Sequence, residues 1–372
     1  MVKKESFFDR SRMRYFSLTE RLSKVDISSA CVLPDAWPPV RADLAEKAGC
    51  IAEEILGALK SGAAVICAFG AHSIKNGLGK LLGDFLNRGW FTHLAANGAA
   101  VIHDWEFAFL GKSSEDVREN VAAGRFGTWE ETGLYINLAL AVGAYEGLGY
   151  GASVGKMITR DGLAIPEREE LLAAAALKPG FSPEEAGKAA AALDLYELLE
   201  YLKIPPGFLP VSHAYKSYSL LAAAAEARRP MTCHPMFGHD IIYTHKANRG
   251  GVIGRTAERD FLEFVSGVAN LEGGVYISVG SAVMSPMIFE KALSMARNAG
   301  GGKGITRCGI HVVDLQEAVW DWSKGEPPMD NPAYYLRFMK TFSRMGCRTD
   351  YTSADNREFF VALYRALAEK SA

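Results

Sequence analysis

The chain has 372 residues, 49% of them hydrophobic, with 41 basic side chains against 43 acidic ones and a formal net charge of -2. That length and apolar content suffice for one large α/β core or two smaller ones. The near-cancelling charge, without a basic stripe interleaved with aromatics, excludes a nucleic-acid backbone as the expected partner.

Residues 1 to 60 read as a helical N-terminal extension with no continuous apolar run of the secretory kind. It ends in an amphipathic helix, because Leu44, Ala48, Ile51, Ala52, Ile55 and Leu59 recur at three-to-four spacing. Ala63 to Phe69 reads as a buried strand, Gly70-Ala71-His72-Ser73 as a loop, and Ile74 to Arg88 as a helix. The order repeats in strand Phe91 to Ala96, loop Asn97-Gly98-Ala99-Ala100, and a helix that begins Val101-Ile102-His103-Asp104-Trp105-Glu106. From about 113 to 226, alanine-rich runs and the N-cap patterns at Ser113 and Ser182 predict a helical insertion without strands. Its most lipid-like part, Leu134 to Val154, is interrupted by Glu146 and rich in glycine, so no membrane span is expected. Strands return at Pro230 to Cys233, Gly273 to Val279 and Gly309 to Val313, and Thr352 to Asn356 is a loop feeding a last helix, Arg357 to Glu369.

Strands separated by helices imply a parallel sheet in a three-layer, Rossmann-like α/β fold. Residues 61–372 are therefore expected to form a single domain around the insertion. In such sheets ligands bind beyond the carboxyl ends of the strands. The loops there carry His72, Ser73, Asn76, Asn97, His103, Asp104, Glu106, His234, His239, Asp240, Ser281, Ser285, Asp314, Asp355 and Asn356, and these are predicted to meet at one crevice. Gly280 and Ser281 end a strand and lead to a helix. With so little side-chain bulk they would let an anionic group reach the helix amides, the geometry of a phosphate or dinucleotide site. Neither G-x-G-x-x-G nor the P-loop pattern occurs, and a strand-Gly-Ser-helix junction also turns corners in ordinary α/β proteins.

Three imidazoles and a carboxylate, His234, His239, His245 and Asp240, fall within thirteen residues of the run that starts at Cys233. A divalent metal would accept such ligands, although the spacing matches no zinc signature. His103-Asp104-x-Glu106 has the makings of an acid/base cluster, and carboxylates in a first helical turn are equally favoured by the helix dipole. The six cysteines include no C-x-x-C pair, and Cys67 and Cys308 lie in apolar strand-like runs, so they read as free thiols in a reducing, cytoplasmic setting.

Several of these loops together resemble, in order and spacing, the deoxyhypusine synthase family. The likeness lies in Ala71-His72-Ser73 and the helix after it, in Asn97-Gly98-Ala99-Ala100 followed by Asp104 and Glu106, and in the loop from His234 to Asp240. It continues in Val279-Gly280-Ser281-Ala282-Val283 with a helix ending Ala296-Arg297-Asn298, and in Ser353-Ala354-Asp355-Asn356. The resemblance implies NAD bound across the strand ends of a homo-oligomer, a tetramer in that family. It implies cofactor contacts from His72, Ser73, Asn97, Gly98, Gly280, Ser281, Asp314, Asp355 and Asn356, and acid/base candidates His103, Asp104, Glu106, His239 and Asp240. The substrate would be an amine or another small polar metabolite. The family carries its substrate on a lysine in a Trp-Gly-Lys context, which this chain lacks. The nearest position is Lys340, and a competing register through Glu317-Ala318-Val319 puts Lys324 there. Two alternatives stand beside this reading: a metal-assisted hydrolase built on His234, His239, Asp240 and His103, and a non-catalytic nucleotide sensor.

Overall fold

The computed structural model describes residues 8–176, 180–300, 304–317 and 320–371. Its frame is a six-stranded sheet made of β1 (Val65–Phe69), β2 (His93–Ala96), β3 (Met231–Cys233), β4 (Val275–Val279), β5 (Gly309–Asp314) and β6 (Arg348–Ser353). Every ladder is parallel, and the spatial order is β6-β5-β4-β1-β2-β3. The winding reverses between β1 and β4. The carboxyl edge of the sheet at such a reversal is where doubly wound dinucleotide-binding folds hold their ligand.

β1 and β4 are buried along their whole length, which is why both read as unbroken apolar runs. Alternate residues feed two separate cores. Val65, Cys67, Phe69 and Ile277 join the larger one, while Ile66, Ala68 and Tyr276 face a second built with Phe264, Phe289 and Phe342. The helices that matter for the site are α1 (Ala42–Lys60), α2 (Ala71–Lys75), α3 (Gly79–Asn87), α4 (Gly98–Leu110), α5 (Leu220–Ala227), α6 (Gly250–Ala269), α7 (Met284–Ala299) and α8 (Asn356–Ser371). α1 buries its Leu44, Ala48, Ile51 and Ile55 stripe as the spacing requires.

Several expectations need correction. The helix from Ile74 to Arg88 is two helices, α2 and α3, because Gly77 takes φ +84 against the Ala30 carbonyl. The insertion is not free of strands: Gly162–Ile165 pairs antiparallel with Gly207–Pro210, and Lys112–Ser113 pairs with Val25–Asp26. The loop expected at Thr352 to Asn356 begins inside an edge strand, β6, whose polar residues from Arg348 onward give no apolar signal. Cys308 and Cys347 form a disulfide at the starts of β5 and β6, so these two are not free thiols. Residues 10 to 36 run as an extended strap of short turns rather than long helices. No helix among the described residues is long and apolar enough to cross a membrane.

Candidate active site

At the switch point the loops after β1 and β4 touch. The Gly70 amide donates to the Val279 carbonyl at 3.1 Å, and a Cβ on Gly70 would lie 2.1 Å from the Gly280 carbonyl oxygen. Only glycine allows that approach. Gly280 itself has φ +56, and a Cβ there would meet nothing within 4 Å, so open space lies over the end of β4. Ser281 is buried and its hydroxyl accepts from the Ser285 amide at 3.2 Å, fixing the entry to α7.

The β1 and β6 loops also meet. Asn356 donates its amide to the Ser73 hydroxyl at 3.4 Å and accepts from the Asn76 amide at 3.1 Å. Asn97 caps α4 by accepting from the Ala100 amide at 3.1 Å, and Asp314 accepts from the Gln316 amide at 3.3 Å. His72 is exposed on α2. Asp355 is committed within its own turn: Arg357 bonds both of its oxygens at 3.0 Å and holds its carboxyl below the usual range.

A pocket of about 230 Å³ opens among the elements that follow β1, β2 and β3, lined by Lys75, His103, Glu106, Glu115, His239 and Asp240. Four of these, His103, Glu106, His239 and Asp240, are residues that the sequence marked as acid/base candidates. Ala99, Ile102, His103 and Glu106 form one face of α4, at helical spacing of three and four.

Asp240 sits against Gly98, where a Cβ would come within 2.2 Å of its Oδ2. The residue is 9% exposed, and Oδ2 has no hydrogen-bond partner among the described residues. Burial pushes its carboxyl up to about 7, with Tyr243 pulling the other way. Glu115 is similar. Its Oε1 accepts from the Trp129 indole at 2.9 Å, its Oε2 lacks a partner among the described residues, and burial raises its pKa.

Glu106 is held differently. Arg21 from the N-terminal strap makes two bonds to it, at 2.8 and 2.7 Å, and Ser113 and Thr132 add two more at 2.5 and 3.0 Å. Burial alone would raise its pKa, but the Arg21 guanidinium outweighs burial and the net shift is downward. It is a fixed anion and not a proton donor. Asp104 lies in the same helix and does not line this pocket. Its oxygens cap α5 by accepting from the Ser219 hydroxyl at 2.6 Å and the Leu220 and Leu221 amides at 2.8 and 3.1 Å. Burial raises its pKa to about 6.

The lysines do not fit the role that the resemblance assigned. Lys340 lies 3.1 Å from Glu326 and over the Tyr334 ring, and Tyr334 with Glu326 holds its ammonium above the ordinary value. An imine-forming lysine must be neutral. Lys324 is exposed and paired with Asp321 at 3.5 Å; Ala318 and Val319 of its proposed register lie outside the described residues. The metal alternative also lacks its geometry. Among the described residues no group of three or more His, Cys, Asp or Glu side chains is placed to hold an ion. His234 turns inward to Thr232 at 3.0 Å, and His245 pairs with Glu130 at 3.3 Å.

Arg21, Lys75, Ser113 and Glu115 escaped the sequence reading as site residues. Lys75 had a signal, since it lies on the polar side of a helix just after β1. Nothing local marks the other three.

No protein-family profile and no curated protein matches the chain. Among solved structures it is similar to unliganded AgrE, with 13% identity and a TM-score of 0.44 over 90% of this chain and 34% of that one. It is similar to a conserved protein described as LOR/SDH from Methanococcus maripaludis S2, with 13% identity and a TM-score of 0.44 over 91% of this chain and 72% of that one. The third likeness is to ArgZ, an arginine dihydrolase from the ornithine-ammonia cycle in Cyanobacteria, with 13% identity and a TM-score of 0.42 over 89% and 33% of the two chains. AgrE is also known as a ternary complex with ornithine and NAD+. The chain thus spans about a third of the length of AgrE and ArgZ. These neighbours replace deoxyhypusine synthase as the proteins that the fold resembles, and the paired, charged Lys340 agrees with that correction. At such TM-scores they carry no functional argument.

Proposed function

We propose that the chain is a dinucleotide-dependent enzyme, with NAD held across the β1/β4 switch point and an amine or other small polar metabolite bound in the pocket beside α4. The strand order supports this reading: the winding reverses between β1 and β4, Gly280 leaves open space over the end of β4, and a pocket with charged lining lies among the elements that follow β1, β2 and β3. The residues present fit the cofactor. Gly280 gives open space over a strand end, α7 begins four residues later, and His72, Ser73, Asn97, Gly98, Ser281 and Asn356 stand at neighbouring loop ends. A nicotinamide, when bound, supplies a hydride acceptor or donor. The chain's own contribution is proton handling and orientation: Asp240, raised to about 7, exchanges a proton near neutrality, and Lys75 offers a fixed positive charge.

The test is a thermal-shift screen with NAD, NADP, FAD and ADP-ribose. A ligand at roughly a hundredfold its Kd adds about 2.7 kcal/mol to stability, a visible shift. NAD, which AgrE holds beside ornithine, is the first to try. Stabilisation by a dinucleotide supports the proposal, and silence across all four compounds overturns it. Binding without turnover of any amine would favour a nucleotide sensor.

A further inference from the structure

His103 Nδ1 lies 2.7 Å from the Ser113 hydroxyl, which lies 2.5 Å from Glu106 Oε2. The direction of these bonds follows from charge. Glu106 is held ionised by the two Arg21 bonds, so its oxygens only accept. Ser113 must then spend its single proton on Glu106. Its oxygen is left to accept from His103, which places the ring proton on Nδ1 and leaves Nε2 with a bare lone pair. Nε2 has no protein partner among the described residues, it is not a sealed orphan, and His103 lines the pocket. Glu115 and Asp240, which also line the pocket, each carry a carboxyl oxygen without a donor among the described residues and are 8% and 9% exposed.

We propose that Arg21, Glu106 and Ser113 lock His103 as its Nδ1–H tautomer, and that the unpartnered Nε2 receives a hydrogen bond from an amine N–H of the ligand. This deepens the function proposed above and rests on its choice of pocket. At His103 Nε2 the pocket takes a group that donates, while Lys75 and Arg21 supply cationic side chains elsewhere in its lining. Burial favours the neutral ring, taking His103 down to about 4; Glu106 opposes this, and Lys75, Arg21 and His72 reinforce it. Across the pocket stand Glu115, His239 and Asp240. Ser113, Glu106 and Arg21 are positioning residues, since they act through His103.

The test is nitrogen-15 NMR of the histidine-labelled full chain, which separates protonated from bare ring nitrogens without any cofactor or turnover. The wild type is expected to show His103 with Nδ1 protonated, Nε2 bare, and no titration from pH 8 to pH 5. Ser113→Ala is expected to move the proton towards Nε2, while Ser113→Thr, which keeps the hydroxyl, retains the wild-type pattern. A merely structural serine would leave the tautomer unchanged. Titration with n-butylamine is expected to perturb Nε2, and butyrate is expected not to. The proposal is overturned by a wild-type Nε2–H tautomer, by an imidazolium at neutral pH, or by an Nε2 indifferent to butylamine. None of these outcomes depends on whether NAD binds, so failure here and failure of the cofactor proposal are told apart.

Discussion

Arg21→Met removes one half of the buried pair that ties the N-terminal strap to α4. Both side chains are 1% exposed, and Glu106 would keep only Ser113 and Thr132 as donors. Two charge-assisted bonds disappear, at roughly 1.5–3 kcal/mol each, and breaking a buried pair by deleting one partner costs about 3–5 kcal/mol. The assay is urea unfolding, read as a lower midpoint at unchanged slope. A double variant, Arg21→Met with Glu106→Met, no longer buries a lone carboxylate and should recover much of the loss, because the penalty belongs to the unpaired charge rather than to the pair. The reasoning is refuted if Arg21→Met stays within about 0.5 kcal/mol of wild type, or if the double variant is as unstable as the two single losses summed.

Asp240 predicts a pH dependence. Its folded pKa of about 7 exceeds the ordinary 3.8, so between those values the folded chain keeps a proton that the unfolded chain has lost. Its contribution is complete below the unfolded value and fades as pH rises through about 7. Urea midpoints at pH 5 and pH 8 isolate this contribution as the difference between wild type and Asp240→Asn: relative to the variant, the wild type should lose stability on going from pH 5 to pH 8. Asp260, raised to about 7 by burial, and Asp104, raised to about 6, act in the same direction, while His93, His103, His213 and His234, held neutral by burial, act in the opposite one. Lys340→Ala should leave dinucleotide and amine binding as they are, measured by calorimetry, because the lysine's partners are Glu326 and Tyr334 and it is absent from the pocket.

Much of the frame was legible because burial on both faces forces a strand to be apolar throughout. Val65–Phe69 and Val275–Val279 announce themselves, and the glycines after them, Gly70 and Gly280, mark where their loops meet. Edge strands carry no such signature: Arg348–Ser353 is polar at most positions, and its last two residues fall in the expected loop. His103, Glu106, His239 and Asp240, which the sequence marks as polar residues after strands, line one pocket. Their division of labour was hidden. Asp104 and Glu106 look alike in sequence, yet one caps a helix 115 residues away and the other pairs with Arg21, 85 residues earlier. The Cys308–Cys347 bond spans 39 residues with no local pattern to show it.

The central claim is that a dinucleotide lies over the end of β4, and calorimetric titration of NAD into wild type and Gly280→Ala tests it most directly. At Gly280 a Cβ meets no protein atom within 4 Å, so the variant should fold, losing about 1–2 kcal/mol for a side chain in left-handed backbone. The methyl group would nevertheless stand in the space assigned to the ligand. The account predicts saturable one-site binding to wild type and a loss of at least roughly tenfold in affinity, about 1.4 kcal/mol, in Gly280→Ala. It is contradicted if wild type takes up no NAD, or if the folded variant binds NAD as tightly as wild type.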